Sequence, residues 1–398
     1  MSFHQLLMPN QILYGKDSFT EIGKQARALG QKVLVISDPI MEKIGNVSLC
    51  EKYMQEENVP YATYLGVDSE PTDVHVDEAL AICREEGCDV VVAVGGGSCI
   101  DTAKAVAVLM TNTGHIRDYY GGKKAFDKKP LPLIAVPTTA GTGSEVTAVT
   151  VITDTKHDIK MMLKQPELMP ATAIVDPMLT LSCPRNVTAA TGIDALCHAI
   201  EAFISKCSQP VTDTWALKAI ELIVGNIRKA YEDGNNIEAR NNMALGSMLA
   251  GMAFSNASVT LVHGMSRPIG AMFHVPHGIS NAMLLPAVLE FTKGDATDRL
   301  STVARLVLPK TKGLSDHEAV EELINEVKQL CMDLDIPNLK TWGIDKEKFD
   351  LVVSKMATDA LASGSPGNNP KVPSHEEIIE LYYTCYEYDF AAKQKVIK

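Results

Sequence analysis

The chain has 398 residues, 46% of them hydrophobic and 22% charged. That is ordinary globular composition and enough length for two domains with separate cores. A formal net charge of -12 argues against a generic nucleic-acid binder, which needs a basic face, but leaves room for a local basic pocket.

Nine cysteines without a CxxC pair read as reduced thiols rather than a disulfide frame or a zinc ribbon. The opening MSFHQLLMPNQILYG lacks the basic and apolar regions of a signal peptide, and no apolar run approaches the roughly 20 residues of a membrane span. A cytoplasmic protein without membrane or nucleic-acid partners is expected.

In chain order, the first 180 residues alternate. The β-branched runs 33-VLVIS-37, 89-DVVVAV-94, 132-PLIAVP-137, 146-VTAVTVIT-153 and 172-TAIVD-176 predict strands. Amphipathic stretches such as 76-VDEALAICREEG-87 predict helices between them, the pattern of a parallel sheet covered on both faces. Beyond residue 180 the spacing predicts helices over 188–206, 211–231, 238–255, 259–272, 278–291, 296–307, 316–334, 346–358 and 375–394. Breakers such as Pro210, Asp233-Gly234, Pro276 and 364-GSPGNNP-370 separate them. The organisation predicted is an α/β domain, 1–180, then an all-α domain, 181–398, with a ligand cleft between them.

The strand at 89–94 runs into Gly95, Gly96, Gly97 and Ser98 and then a helix. A helix start offers free N–H groups and positive dipole to a phosphate. The loop is neither a P-loop nor GxGxxG, since position 100 is Ile, and a tight turn without a ligand is the competing reading. A second loop of small and hydroxyl residues, 138-TTAGTGSEVT-147, follows the strand at 132–137. Two such loops at strand C-terminal ends favour a dinucleotide or polyphosphate. Asp38 follows the first predicted strand, where a carboxylate accepts from a ribose 2′-OH and repels a 2′-phosphate, favouring NAD; it is equally a cap or turn residue before Pro39.

In 188-TAATGIDALCHAIEAFIS-205, Asp194 and His198 stand at i and i+4, on one helix face. Farther on come His263 and, after Pro276, His277. One carboxylate and three imidazoles suit a first-row divalent ion with a position left for a substrate oxygen. Each alone has a plainer reading, as a helix-neighbour pair or a core or cap histidine. By spacing, His274 is as good a ligand as His277.

Together, 95-GGGSCIDTAKA-105, 137-PTTAGTGSEVT-147, 175-VDP-177, 191-TGIDALCHAIE-201, 251-GMAFSNAS-258, 263-HGM-265 and 276-PHGISNAMLLP-286 resemble the iron-containing (group III) alcohol dehydrogenases over nearly the whole chain. The resemblance implies a Rossmann-like NAD-binding domain and a helical metal domain in the dehydroquinate synthase-like architecture. It implies Fe2+, or Zn2+ or another divalent metal, held by Asp194, His198, His263 and His277, the last preferred over His274 by its place in the PHG segment. Gly95, Gly96, Gly97 and Ser98 would bind the pyrophosphate, with Asp101 and Ser144 in the same cofactor set. Thr138, Thr139 and Thr142 would line the phosphates and nicotinamide, Asp38 matches the acid of NAD-preferring members, and Lys160 matches a lysine near the nicotinamide ribose. The implied reaction is hydride transfer between a small primary alcohol or aldehyde and NAD, in a homodimer or larger homo-oligomer. Glycerol dehydrogenases and dehydroquinate synthases share the plan and are the alternatives on this fold. The complete ligand set disfavours a non-catalytic nucleotide-binding protein.

One position departs from the family. Many members carry a second histidine four residues after His263, where this chain has Arg267 and then Pro268. Arginine stays protonated and is a poor general base, so the proton route passes to His274, a ribose hydroxyl or water. Arg267 can instead offer a fork of donors to a substrate carboxylate or sulfonate, the alternative being a structural ion pair. Phe254 and the loop 364-GSPGN-368 are candidate pocket walls.

Overall fold

The computed structural model describes residues 3–392. Its main sheet has six parallel strands, β1 (Gln11–Tyr14), β2 (Val33–Ile36), β3 (Tyr61–Tyr64), β4 (Val90–Gly95), β5 (Leu133–Pro137) and β8 (Thr172–Val175), in the order β1-β8-β5-β4-β2-β3. Every residue of β2, β4, β5 and β8 is buried, as expected of Val- and Ile-rich strands covered on both faces. After β2 the chain goes outward to β3, then returns to the other side of β2 for β4. The order therefore reverses between β2 and β4, and the crevice beyond their C-terminal ends is where an open α/β sheet takes its ligand.

Two predictions at strand level need correction. The run at 146–153 was expected among the alternating strands, but β6 (Val149–Asp154) pairs antiparallel with β7 (Ile159–Lys164) in a separate ribbon. Only four residues join them, too few for the crossover of a parallel pair. Burial also alternates along β6, so one face is covered rather than two. The strands β1, β3 and β7 have no counterpart in the sequence reading. The first two are four-residue edge strands, and β7 is one strand of a two-stranded ribbon with only Met161 and Leu163 buried.

After β8 the long elements are all helical. The nine predicted helices are present, the central ones being Arg185–Ile204, Pro210–Glu232, Ile237–Ala257, Leu261–Phe273 and His277–Thr292, and a short helix, Leu339–Trp342, is added. The last helix, expected over 375–394, spans His375–Tyr386; its final two predicted residues lie outside the described residues. Beyond it the buried Tyr388 donates its hydroxyl to Glu290, a turn inward that a continued helix would not make.

Every residue from Gly192 to Ile204 is buried, so Arg185–Ile204 is the hub of the helical half. Against the sequence reading, it is long and apolar enough to cross a membrane, but 89% of that window is covered by the rest of the protein. The hub carries Asp194, His198 and Glu201 in its buried face. Burying such groups is costly unless they are paired or bind an ion. The two halves meet where Gly143, at φ +60°, faces the helix Ile237–Ala257; a Cβ on Gly251 would stand 2.8 Å from the Gly143 carbonyl oxygen.

Candidate metal and cofactor site

The helix hub supplies Asp194 and His198, the first turn of Leu261–Phe273 supplies His263, and His277 opens the next long helix. One ligand atom from each of these four residues lies within 4.8 Å of all the others. His263 Nε2 stands 3.5 Å from Asp194 Oδ1 and His277 Nε2 3.8 Å from it. The His198 and His263 rings stack at 4.4 Å. His277 is the most open, its side chain 40% exposed, which marks the side from which a substrate can approach.

Burial pushes His198 down to about 4, so this imidazole is neutral with a lone pair to give. Asp194 is held well below the usual carboxylate range because the surrounding histidines outweigh its burial. His263 is raised to about 9, the Glu201 and Asp194 carboxylates outweighing its burial. The Nδ1 of His198 and the Oδ1 of Asn281 are buried without a hydrogen-bond partner, a rare condition in a finished core. A hard carboxylate, three imidazoles and orphaned polar atoms fit a divalent transition metal.

Two residues that sequence reasoning missed complete the cluster. Glu201 Oε2 is hydrogen-bonded to His263 Nδ1, while its Oε1 accepts from Thr260 Oγ1 at 2.8 Å and from the Val262 N–H at 2.7 Å. The carboxylate sits at the start of Leu261–Phe273, where a negative charge meets the unpaired N–H groups and dipole of a helix. The Nδ2 of Asn281, fully buried, donates to Asp194 Oδ1 at 2.6 Å and lies 3.1 Å and 3.2 Å from the Nε2 atoms of His263 and His277. Helical spacing was the available signal: Glu201 is i+3 from His198, and Asn281 is i+4 from His277.

The glycine loop lies at the sheet's reversal. The helix Gly97–Leu109 starts with Gly96 as its cap residue and no side chain on its free N–H groups. A Cβ on Gly97 would come 2.9 Å from the Thr142 methyl, so the two predicted cofactor loops are in contact there. Asp38 does cap a short helix, its Oδ1 accepting from Ile40 and Met41 N–H groups, while Oδ2 stays on the Gly95 side, 3.5 Å from Cys99 Sγ. An uncapped helix start beside a carboxylate at the switch point fits a dinucleotide.

Thr138 is buried, its N–H donating to the Gly95 carbonyl at 3.0 Å; Thr139 lies beside Gly96. Ser144 Oγ donates to Asp101 Oδ1 at 2.6 Å, and the Val151 N–H donates to Asp101 Oδ2. The buried Lys104 donates to Ser144 Oγ, Thr147 Oγ1 and the Val149 carbonyl. Asp101 and Ser144 thus bond to each other. The same second loop reaches the hub: a Cβ on Gly141 would stand 2.5 Å from that of Thr191, three residues before Asp194.

Glu145, in this loop, gives a pH signature. Burial raises its carboxyl from 4.5 to about 7, against the pull of its own backbone N–H and of Lys104. Between pH 4.5 and 7 the folded chain therefore holds a proton that the unfolded chain has released, so stability falls as pH rises through that window. Glu145→Gln cannot ionise. Its stability relative to the parent should improve by about 2–3 kcal/mol between pH 4.5 and pH 8. Denaturant unfolding at several pH values checks this, and a pH-independent difference would refute it.

Around the cluster, Phe254 stacks on His198 at 4.1 Å, and Pro366 packs on Gly264. Both predicted pocket walls therefore border the cluster. Lys160, on β7, pairs with Glu70 at 2.5 Å and lies beside Gly270. His274 is an exposed residue at φ 54° ending Leu261–Phe273, and it stands outside the four-ligand cluster. Arg267 is half-buried and donates to Ser365 Oγ at 3.1 Å.

Two family models account for most of the chain: iron-containing alcohol dehydrogenase over residues 9–177, and the Fe-containing alcohol dehydrogenase family C-terminal domain over residues 188–386. The chain is 38% identical over 384 residues to 1,3-propanediol dehydrogenase of Klebsiella pneumoniae, covering 96% of this chain and 98% of that protein. A crystal structure of 1,3-propanediol oxidoreductase matches with a TM-score of 0.93 at 36% identity, over 97% of this chain and 100% of the other. Sulfoacetaldehyde reductase from Bifidobacterium kashiwanohense, in complex with NAD+, matches at 0.87 with 30% identity, over 98% of this chain and 100% of that one.

Proposed function

This chain belongs to the iron-containing alcohol dehydrogenase family, enzymes of NAD and a divalent metal, and on that premise we propose that it interconverts small primary alcohols and their aldehydes, including ones that carry an acidic group. The observation that carries this reading is the Asp194, His198, His263 and His277 cluster beside the loop that follows β5.

When bound, NAD takes or gives the hydride and the cation polarises the substrate oxygen. In this reading Asp194, His198, His263 and His277 hold the cation. Glu201 accepts from His263 Nδ1, which turns Nε2 towards the cluster. Asp38, Gly95, Gly96, Gly97, Ser98, Thr138, Thr139 and Thr142 hold the dinucleotide, Lys160 stands near its ribose, and Asp101 and Ser144 fix the two loops. Phe254, flat on His198, supplies an apolar wall that keeps water from the reacting carbon. Arg267 keeps its proton and His274 is exposed outside the cluster, so the proton leaves through water or a ribose hydroxyl. Nine free thiols support a reducing, cytoplasmic setting, and a homo-oligomer is the expected assembly.

The test is NADH consumption by protein loaded with Fe2+ under anaerobic conditions, on short neutral and acidic aldehydes. Turnover of at least one class is expected. A metal-replete, NADH-binding protein that consumes neither would refute the reading.

A further inference from the structure

Resting on that reading, we propose that Arg267, with Ser365, recognises a carboxylate or sulfonate at the far end of a short aldehyde or alcohol substrate. The ground is an unbalanced charge. Half-buried Arg267 has no ion pair among the described residues, whereas the buried Lys104 and Arg240 each have three acceptors and the buried Lys328 pairs with Glu290. Among the described residues the single hydrogen bond of Arg267 is to the neutral Ser365 hydroxyl, at 3.1 Å. A guanidinium has five N–H donors in a rigid fork, so most of its capacity stays unused.

The one carboxylate whose field reaches it, Glu201, is fully engaged by Thr260, Val262 and His263. Burial pushes the Arg267 pKa down, with Glu201 and Tyr120 opposing. A half-buried guanidinium has lost part of its hydration without gaining a counter-charge, and, one turn along the helix from a candidate metal ligand, that leaves its donors free for a substrate anion.

Position defines the ligand. Arg267 is i+4 from His263 on the same helix, a rise of about 6 Å. The oxygen at the metal cluster and the anion at Arg267 then belong to one small molecule, with few carbons between them. The 364–368 loop closes the far side, Ser365 on Arg267 and Pro366 on Gly264, held in place by Asn368 donating to Ser258 Oγ. Carboxylate and sulfonate both offer the paired oxygens that suit the fork.

The experiment compares kcat/KM for succinic semialdehyde and sulfoacetaldehyde with that for butanal and propanal, in the metal-loaded enzyme and in Arg267→Gln and Arg267→Lys. The enzyme should prefer the acidic aldehydes. Arg267→Gln should lower the acidic-to-neutral ratio roughly 10- to 100-fold, mostly through KM. Arg267→Lys, a point charge without the fork, should fall between them. The unreactive probe 1-propanesulfonate, titrated calorimetrically into metal- and NADH-loaded protein, should bind the parent and bind Arg267→Gln at least about 10-fold more weakly.

An acidic-to-neutral ratio that Arg267→Gln leaves unchanged overturns the proposal, as does a parent without acidic preference. Should Arg267→Gln fail to fold, Arg267→Lys decides by the same ratio. If no aldehyde of either kind is consumed, the functional reading falls, and probe binding that depends on Arg267 still decides for or against the anion site.

Discussion

Asp194→Ala should leave a folded protein that binds little or no divalent metal and turns over its substrate at least about a thousandfold more slowly, the several kcal/mol that Lewis-acid polarisation contributes. Asp194 is the one carboxylate of the cluster, and three imidazoles, neutral once they ligate, give the cation no charge compensation alone. Its Oδ1 also accepts from Asn281 and lies within 4 Å of two ligand histidines, so its removal unfastens the geometry of the other ligands. Metal content by plasma mass spectrometry, with NADH turnover on the same preparation, checks both halves. A variant that keeps its metal and its rate would show that the cluster is structural or that the metal lies elsewhere.

The second large effect is expected from a residue that touches no metal. Glu201→Gln changes one atom group, yet it should weaken metal binding by about 10- to 100-fold. The carboxylate only accepts hydrogen bonds, so His263 must carry a proton on Nδ1, and Nε2, beside Asp194, is the nitrogen that gives up its proton to offer a lone pair when a cation binds. A glutamine amide can direct its NH2 at Nδ1. The imidazole then favours the other tautomer, with hydrogen on Nε2, and the ligand is blocked. The Gln oxygen can still accept from Val262, so the helix start should survive and the unfolding midpoint should move less than the metal affinity. Competition with a chelating indicator measures the affinity. Unchanged affinity in a well-folded variant would show that the tautomer is set by something else.

Helical periodicity is what made most of this molecule legible. Asp194 and His198 one turn apart, the histidine after Pro276, and the GGGS turn are local patterns, and the elements bearing them are long and bounded by clear breakers. Glu201 and Asn281 were on the same faces, but their role depends on which helix packs opposite, and local spacing does not carry that. The same holds for Arg267: its position was visible, whereas the lack of a counter-ion is a tertiary fact. The strands fared worse where context decides. β6 has the β-branched composition of a core strand, yet a four-residue connection sends it back on β7. β1 and β3 are stabilised by the neighbour they edge, and four residues carry too little periodicity to announce them.

Lys104 has a mechanical consequence. It stands on the helix that begins at Gly97 and ties Ser144, Thr147 and Val149 to that helix, with Asp101 adding a bond to Ser144 from the same side. The two loops after β4 and β5 are thereby welded into one body. They cannot grip a dinucleotide by closing on each other like fingers, because their spacing is fixed from within. Any clamping stroke must come from across the cleft, from the helices that carry His263, Arg267 and His277, and the sheet side serves as the anvil.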